Sequence, residues 1–322
     1  MKRSIQLFTV SALAAGIAAC GGDGDSMNTG STGTVSFGVT DAPAMEFTDV
    51  TISFTGISLK PVDGDWVEFT FDEPKSWNLL ELQGGLSESL ITDEEVPAGQ
   101  YSELRLKINT EDSDTDQDSL PDSYVITKNE PGIQKTLAVP SGEQSGLKLK
   151  GEFVVVADTA TDFTIDFDVR KSLVNPQGDS LADYLLKPSL RLVNNLEVGS
   201  ITGDVDYLTI QSTRLNDDSL ADCAQDYAGS VYVYQGADVA PTDINVTTDT
   251  GGPLMAVPVT DEDNDGMYSY VAAFLPEGEY TISYSCQLDD NELDDPLEFQ
   301  GTQNVTVVAD TDTVADPIPL VP

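Results

Sequence analysis

The chain has 322 residues, with 56 acidic against 15 basic side chains, a formal charge of −41 and no histidine. That balance excludes nucleic acid as a partner, because nothing could neutralise the phosphates, and it argues against lying flat on anionic lipid. The absence of histidine removes Ser-His-Asp and Cys-His catalysis and nearly every catalytic zinc site.

At the N-terminus, Lys2 and Arg3 precede an apolar run from Leu7 to Ala19, and Cys20 follows. A cationic start, a short apolar core and small residues at the cut are the plan of a secretory signal. The run is shorter than the roughly 20 residues that cross a bilayer as a helix. Ile17-Ala18-Ala19-Cys20 resembles the bacterial lipobox. That resemblance implies residues 1–19 as signal peptide, lipidation of Cys20 and a membrane partner through that lipid. Two or three acyl chains anchor stably where one binds only marginally. Gly21 stands where an inner-membrane retention signal carries Asp, so the expected location is the outer membrane, facing the periplasm or the cell surface. Residues 20–32 are rich in Gly, Ser, Thr and Asp and lack the apolar side chains for a core. They read as a flexible lipidated tether. The acidity of the remainder suits solubility, salty surroundings or cation binding.

Beyond the tether, alternation with a period of two dominates. Val35, Phe37 and Val39 share a face, as do Val50, Ile52 and Phe54. Gly56 then shifts the phase before Ile57 and Leu59, which predicts a β-bulge. Leu104, Leu106 and Ile108 alternate with Glu103, Arg105 and Lys107, a strand with one wet face. Leu147, Leu149, Phe153 and Val155 continue the pattern, as do Phe163, Ile165, Phe167 and Val169. A closing strand is predicted from Leu185 to Val193, with Pro188 at an edge or bulge. Trp77–Leu82 and Leu86–Leu90 are the candidate helical turns.

A second unit is predicted from residue 198, with strands at Ile201–Ile210, Val231–Tyr234, Ile244–Thr248, Tyr268–Phe274, Tyr280–Cys286 and Val305–Val308. Strands about every ten residues, split by Gly, Pro, Asp and Asn, predict a sandwich or barrel. One echo links the halves: Val96-Pro97-Ala98-Gly99-Gln100-Tyr101 and Leu275-Pro276-Glu277-Gly278-Glu279-Tyr280 each turn into a strong strand. Cys223 and Cys286 form an even pair in an oxidising compartment, so a disulfide is expected.

Gly33-Thr34-Val35-Ser36-Phe37-Gly38-Val39-Thr40-Asp41-Ala42-Pro43 resembles the opening of a bacterial family known as domain of unknown function 4382. The likeness continues through Pro97–Tyr101, Val139-Pro140-Ser141-Gly142, Gly146–Leu149, Ile165-Asp166-Phe167-Asp168-Val169-Arg170-Lys171-Ser172 and Tyr184–Pro188, and covers about residues 33–195. It implies a β-sandwich on a lipid-anchored envelope protein and carries over no activity. The second unit resembles carboxypeptidase-regulatory-like sandwiches through Gly199–Gly203 and Asp265–Tyr280, which implies a spacer or binding module.

The candidate chemistry lies in two aspartate ladders. Asp114, Asp116, Asp118 and Asp122, with the backbone carbonyl of Leu120, fall at spacings that converge on Ca²⁺, which wants six to eight oxygens. Ser119 replaces the turn glycine and Val125 stands where a bidentate acid is expected, so the loop reads either as a weak Ca²⁺ site or as a solvated acidic hairpin. Asp261, Asp263 and Asp265 precede Gly266 with Ala272 at the last ligand position, and turn chemistry accounts for them equally well. Ser145 and Lys148 have the Ser-x-x-Lys spacing of acyl enzymes, but their segment alternates as a strand. Asp166 and Asp168 share a strand face, the arrangement a carboxylate pair would need. Trp66 and Trp77 are candidates to stack on a sugar, and Tyr232 and Tyr234 are expected to face outward as a small aromatic patch.

The sequence therefore predicts an all-β protein of two consecutive β-sandwiches, residues 33–197 and 198–322, behind a lipoprotein signal and tether. The expected role is non-enzymatic binding or scaffolding of an envelope protein or extracellular polymer in attachment, matrix or envelope organisation, with Ca²⁺ as the candidate stabilising ion. A carbohydrate-binding or hydrolase-accessory lipoprotein is the alternative.

Overall fold

The computed structural model describes residues 30–42, 47–109, 121–139, 146–176, 182–187, 189–245, 252–290 and 293–319. Ser31–Pro322 form one compact unit, and its architecture is all-β. The first half carries β1 (Thr32–Ala42), β2 (Phe47–Pro61), β3 (Val67–Asn78), β4 (Glu88–Pro97), β5 (Gly99–Ile108) and β6 (Tyr124–Thr127). It continues with β7 (Lys135–Ala138), β8 (Leu147–Val155), β9 (Ala160–Asp168), helical turn α1 (Val169–Ser172), β10 (Leu173–Val174), β11 (Tyr184–Leu186) and β12 (Leu190–Asn194). The second half carries β13 (Val198–Val205), helix α2 (Tyr207–Leu215), β14 (Ser230–Gln235) and β15 (Met255–Pro258). It ends with β16 (Tyr268–Pro276), β17 (Gly278–Ser285), β18 (Gln300–Val307) and β19 (Asp312–Val314).

In the first half, a sheet of order β12-β9-β1-β4 faces one of order β10-β11-β7-β6-β2-β5-β8, with β3 also paired to β2. Their inner faces meet through aromatic rings, which fill the gap between sheets efficiently. Phe37 on β1 stacks on Phe163 of β9 (centroids 5.1 Å apart) and meets Phe153 of the opposite sheet edge-on at 5.9 Å. The predicted bulge is present: pairing of β2 with both β3 and β5 shifts register between Phe54 and Gly56. Only glycine fits there, because an added Cβ would collide with the carbonyl oxygen of Phe69.

In the second half, β16-β13-β19 faces β15-β14-β17-β18. Ile201, Val231, Ile282 and Tyr284, all fully buried, anchor the core between them.

The two halves repeat one plan. β1 pairs with β4 antiparallel and β9 parallel, and β13 pairs with β16 antiparallel and β19 parallel. Likewise β5 lies between β2 and β8 as β17 lies between β14 and β18. The local contacts repeat too. Thr34 N donates to Thr159 O at 3.0 Å, and Ser200 N donates to Thr311 O at 3.0 Å. Gly33 and Gly199 sit where any Cβ would strike the carbonyl oxygens of Val156 and Val308 respectively. Tyr101 OH donates to Pro97 O (2.7 Å) and Tyr280 OH to Pro276 O (2.8 Å), closing the same turn twice. The pentapeptide Val-Val-Ala-Asp-Thr occurs at residues 155–159 and again at 307–311, so the duplication is also written in the sequence.

Four expectations need correction. The strand predicted to run to Ile210 stops at Val205, because Asp206 caps a helix by accepting from Thr209 N at 3.2 Å. Tyr207, Ile210 and Arg214 then recur on one buried helical face. Leu86–Leu90 is not helical, since Glu88 and Ser89 pair with β1, whereas Leu79–Glu81 forms a 3-10 turn capped by Asn78. The single closing strand is two, β11 and β12, which belong to opposite sheets. Of the strand predicted at Ile244–Thr248, Ile244 and Asn245 lie outside any strand, Ile244 being buried over the outer face of β14, and 246–248 lie outside the described residues.

Candidate functional site

The charged motif at the end of β9 builds the junction between the halves. Asp168 caps α1 by accepting from Lys171 N at 3.1 Å, and Asp41 Oδ1 accepts from Val169 N at 3.1 Å. These two bonds aim Arg170 and Lys171 into the second half. Arg170 Nη2 donates to Asp289 Oδ2 at 3.1 Å, with both side chains almost sealed from water. The same oxygen accepts from Tyr232 OH (2.9 Å) and Ile244 N (3.2 Å). Lys171 Nζ donates to the carbonyls of Pro253 and Leu254 at 3.0 and 3.1 Å. On the adjoining sheet face, Arg191 Nη2 holds Asp166 at 2.6 Å.

Burial sets the electrostatics of this junction. It raises Asp166 above the ordinary carboxylate range, opposed by Arg191, and raises Asp289, opposed by Arg170 and the Tyr232 hydroxyl. Burial works against the Arg170 charge, but Asp289, Tyr232, Tyr227 and Asp168 together outweigh it and hold the guanidinium ionised. Burial pushes Tyr227 up to about 12 and raises Tyr232 further. Such a cluster locks two surfaces in one geometry: removing either partner would strand a buried charge.

The Asp166–Asp168 pair is thus committed to Arg191, Lys171 and the α1 cap. Tyr232 and Tyr234 alternate out of the main core as read, but they are buried and not surface-exposed. Ile244, Leu297 and Phe299 cover them in a second apolar cluster, and Tyr234 OH donates to Thr242 O at 2.5 Å. Trp66 and Trp77 do not share a site. Trp77 packs on Phe54 with centroids 5.8 Å apart, and Arg105 lies 4.2 Å over the Trp66 ring.

Cys223 and Cys286 are joined by a disulfide. Asp261, Asp263 and Asp265 lie in the exposed turn before β16. Asp261 accepts from Asp265 N and Gly266 N, both at 3.0 Å, so its carboxylate closes the turn. Asp122 accepts from Asn109 Nδ2 at 2.7 Å. Cys20, Asp114, Asp116, Asp118, Leu120 and Ser145 lie outside the described residues. Among the described residues, no three His, Cys, Asp or Glu side chains are grouped to hold a metal ion, and no helix is long and apolar enough to cross a membrane.

The open side of the first half forms a groove of about 690 Å³ between β8 and β12. A smaller concavity of about 440 Å³ adjoins it at Leu196 and runs to Pro276 and Ala309 of the second half. Sequence reading missed this groove; the available signal was Gly151 and Val154 at the positions where the repeat carries Gln303 and Thr306.

Residues 32–188 match the family model described as Domain of unknown function (DUF4382). No curated protein matches the chain. Among solved structures, the chain is similar to a leucine-rich repeat protein from Bacteroides thetaiotaomicron at 15% identity and TM-score 0.20, covering 90% of this chain and 26% of that one. It is also similar to the Bacillus anthracis TIE protein at 8% identity and TM-score 0.19, covering 89% and 34% of the two chains. The minor pilin of Streptococcus agalactiae shares 8% identity at TM-score 0.17, with 89% and 98% covered. The chain therefore spans about a quarter to a third of the length of the first two, and likeness at these scores carries no argument about function.

Proposed function

We propose that this chain is a lipid-anchored cell-envelope protein with a non-enzymatic binding or scaffolding role, built as two tandem β-sandwich domains that present surfaces away from the membrane. One observation carries the reading. In the chain's most conspicuous motif, Arg170 and Lys171 fasten the first half to the second, while Asp168 caps α1 and Asp166 is held by Arg191 within the first half. Buried ionisable groups in an enzyme are arranged around reacting atoms; here they hold a scaffold in register. The histidine-free composition supports the same reading.

The anchor is tested by labelling cells with a radioactive fatty acid. Label should enter the chain and be lost in Cys20→Ser; label retained in that variant would refute lipidation at Cys20. Protease added to intact cells then separates surface display from the periplasm, since loss of the ectodomain requires exposure outside. Calcium stabilisation through Asp114, Asp116, Asp118, Asp122 and the Leu120 carbonyl belongs to the same proposal. Millimolar Ca²⁺ should raise the melting temperature, and Asp114→Asn with Asp116→Asn should abolish the rise. An unchanged melting curve counts against it.

A further inference from the structure

We propose that the open side of the first half is an acceptor for an extended strand of a partner protein, one carrying alternating aliphatic and basic side chains. The duplication supplies an internal control. Register places Val154 of β8 opposite Gln100 and Thr306 of β18 opposite Glu279, so Val154 and Thr306 occupy the same site in the two halves. Three residues earlier stand Gly151 and Gln303. In the second half, the Gln303 amide ties this edge to the facing layer: Nε2 donates to Asp316 O and Oε1 accepts from Asp316 N, both at 2.9 Å. Thr313 Oγ1 adds a bond to Thr306 O at 3.3 Å. That side is closed and its edge is polar.

The first half leaves the same side open. Gly151 has no side chain to reach across, and Val154 is 56% exposed where its counterpart is threonine. The facing sheet has gained β12, whose Leu190 and Leu192 point inward beside Phe167 and Ile165 yet remain only half buried. β8 ends its sheet, so among the described residues no strand covers them. A strand added to β8 would pair with its free backbone groups and cover both leucines, which is the physics of β-augmentation.

Charge selects the occupant. Glu152 and Glu197 line the groove, and Glu277 lines its extension. The groove's arginine, Arg191, is spent on Asp166. A chain of formal charge −41 repels a second copy of itself and attracts a basic segment. This inference rests on the binding reading above and is independent of the lipid anchor, so its failure would leave the labelling and protease results standing.

The test titrates the purified full chain into a fluorescent peptide of about ten residues, a typical strand length, alternating Val and Lys. Saturable binding should weaken about tenfold in Val154→Thr, the residue the other half carries, and in Gly151→Val, which fills the groove. An added Cβ at Gly151 meets nothing closer than Leu149 Cδ2 at 3.7 Å, so that variant should fold. Three outcomes would overturn the proposal: no binding, equal binding by both variants, or equal binding of a Val/Glu peptide. Self-association of the wild type that Val154→Thr dissolves would also overturn it, by showing a second copy as the occupant.

Discussion

Arg170 and Asp289 form an ion pair across 119 residues of sequence, with 4% and 1% of their side chains exposed. Arg170 leaves the first half on α1, and Asp289 receives it beyond β17 among hydrogen bonds from Tyr232 and Ile244. Arg170→Met should therefore cost about 3–5 kcal/mol, because Asp289 is left buried without its counter-charge. Arg170→Met combined with Asp289→Asn should recover much of that loss, since no charge is stranded and the amide oxygen still accepts from Tyr232 and Ile244. Urea unfolding of the singles and the double measures the coupling, and additive losses would show that the pair does not interact.

The two tyrosine turns offer a check on the duplication. Tyr101 and Tyr280 each donate to the carbonyl four residues back, in separate halves. Tyr101→Phe and Tyr280→Phe should each cost about 1 kcal/mol, the net worth of one such hydrogen bond, and the double should cost the sum. Denaturant midpoints decide it. A loss confined to one site would mean that the repeated geometry does not carry repeated energetics.

Acidification should stabilise the chain through Asp166. Burial raises its folded value above the unfolded one, so the folded state holds the proton more tightly. Between the ordinary value of 3.8 and the raised one, stability falls as pH rises and is regained as pH drops. Asp289 is shifted the same way. Melting temperature should thus climb as pH is lowered through the raised value towards 3.8, and Asp166→Asn should flatten that slope. Parallel curves for wild type and variant would show that Asp166 contributes nothing to it.

The strands were legible in the sequence wherever one face met a core and the other met water, as with Leu104, Leu106 and Ile108 against Glu103 and Lys107. Alternation says nothing about what covers the second face. Tyr232 and Tyr234 read as exposed because a loop over a sheet leaves no mark on the strand beneath it. The junction was illegible for a related reason: Arg170 is one of many charged residues, and its partner lies beyond any local spacing. The groove could have been found by asking why one copy of a repeated edge carries Gly151 and Val154 where the other carries Gln303 and Thr306. Asp261 shows the converse, because turn chemistry in Asp-x-x-x-Asp-Gly accounts for its hydrogen bonds without an ion.

The Cys223–Cys286 disulfide ties the segment after α2 to the end of β17, with Cys286 fully buried in the second core. The residues are 63 apart, and closing a loop of that length removes enough freedom from the unfolded chain to stabilise by about 4 kcal/mol. Cys223→Ser with Cys286→Ala should lower the melting temperature accordingly while leaving the first core intact. Fluorescence separates the halves, because Trp66 and Trp77 both lie in the first. Tryptophan emission should hold its transition while tyrosine signal from Tyr232, Tyr234, Tyr280 and Tyr284 melts earlier. If both signals shift together, the Arg170–Asp289 junction couples the halves into one cooperative unit, and the cost of the lost disulfide is then read from the common transition.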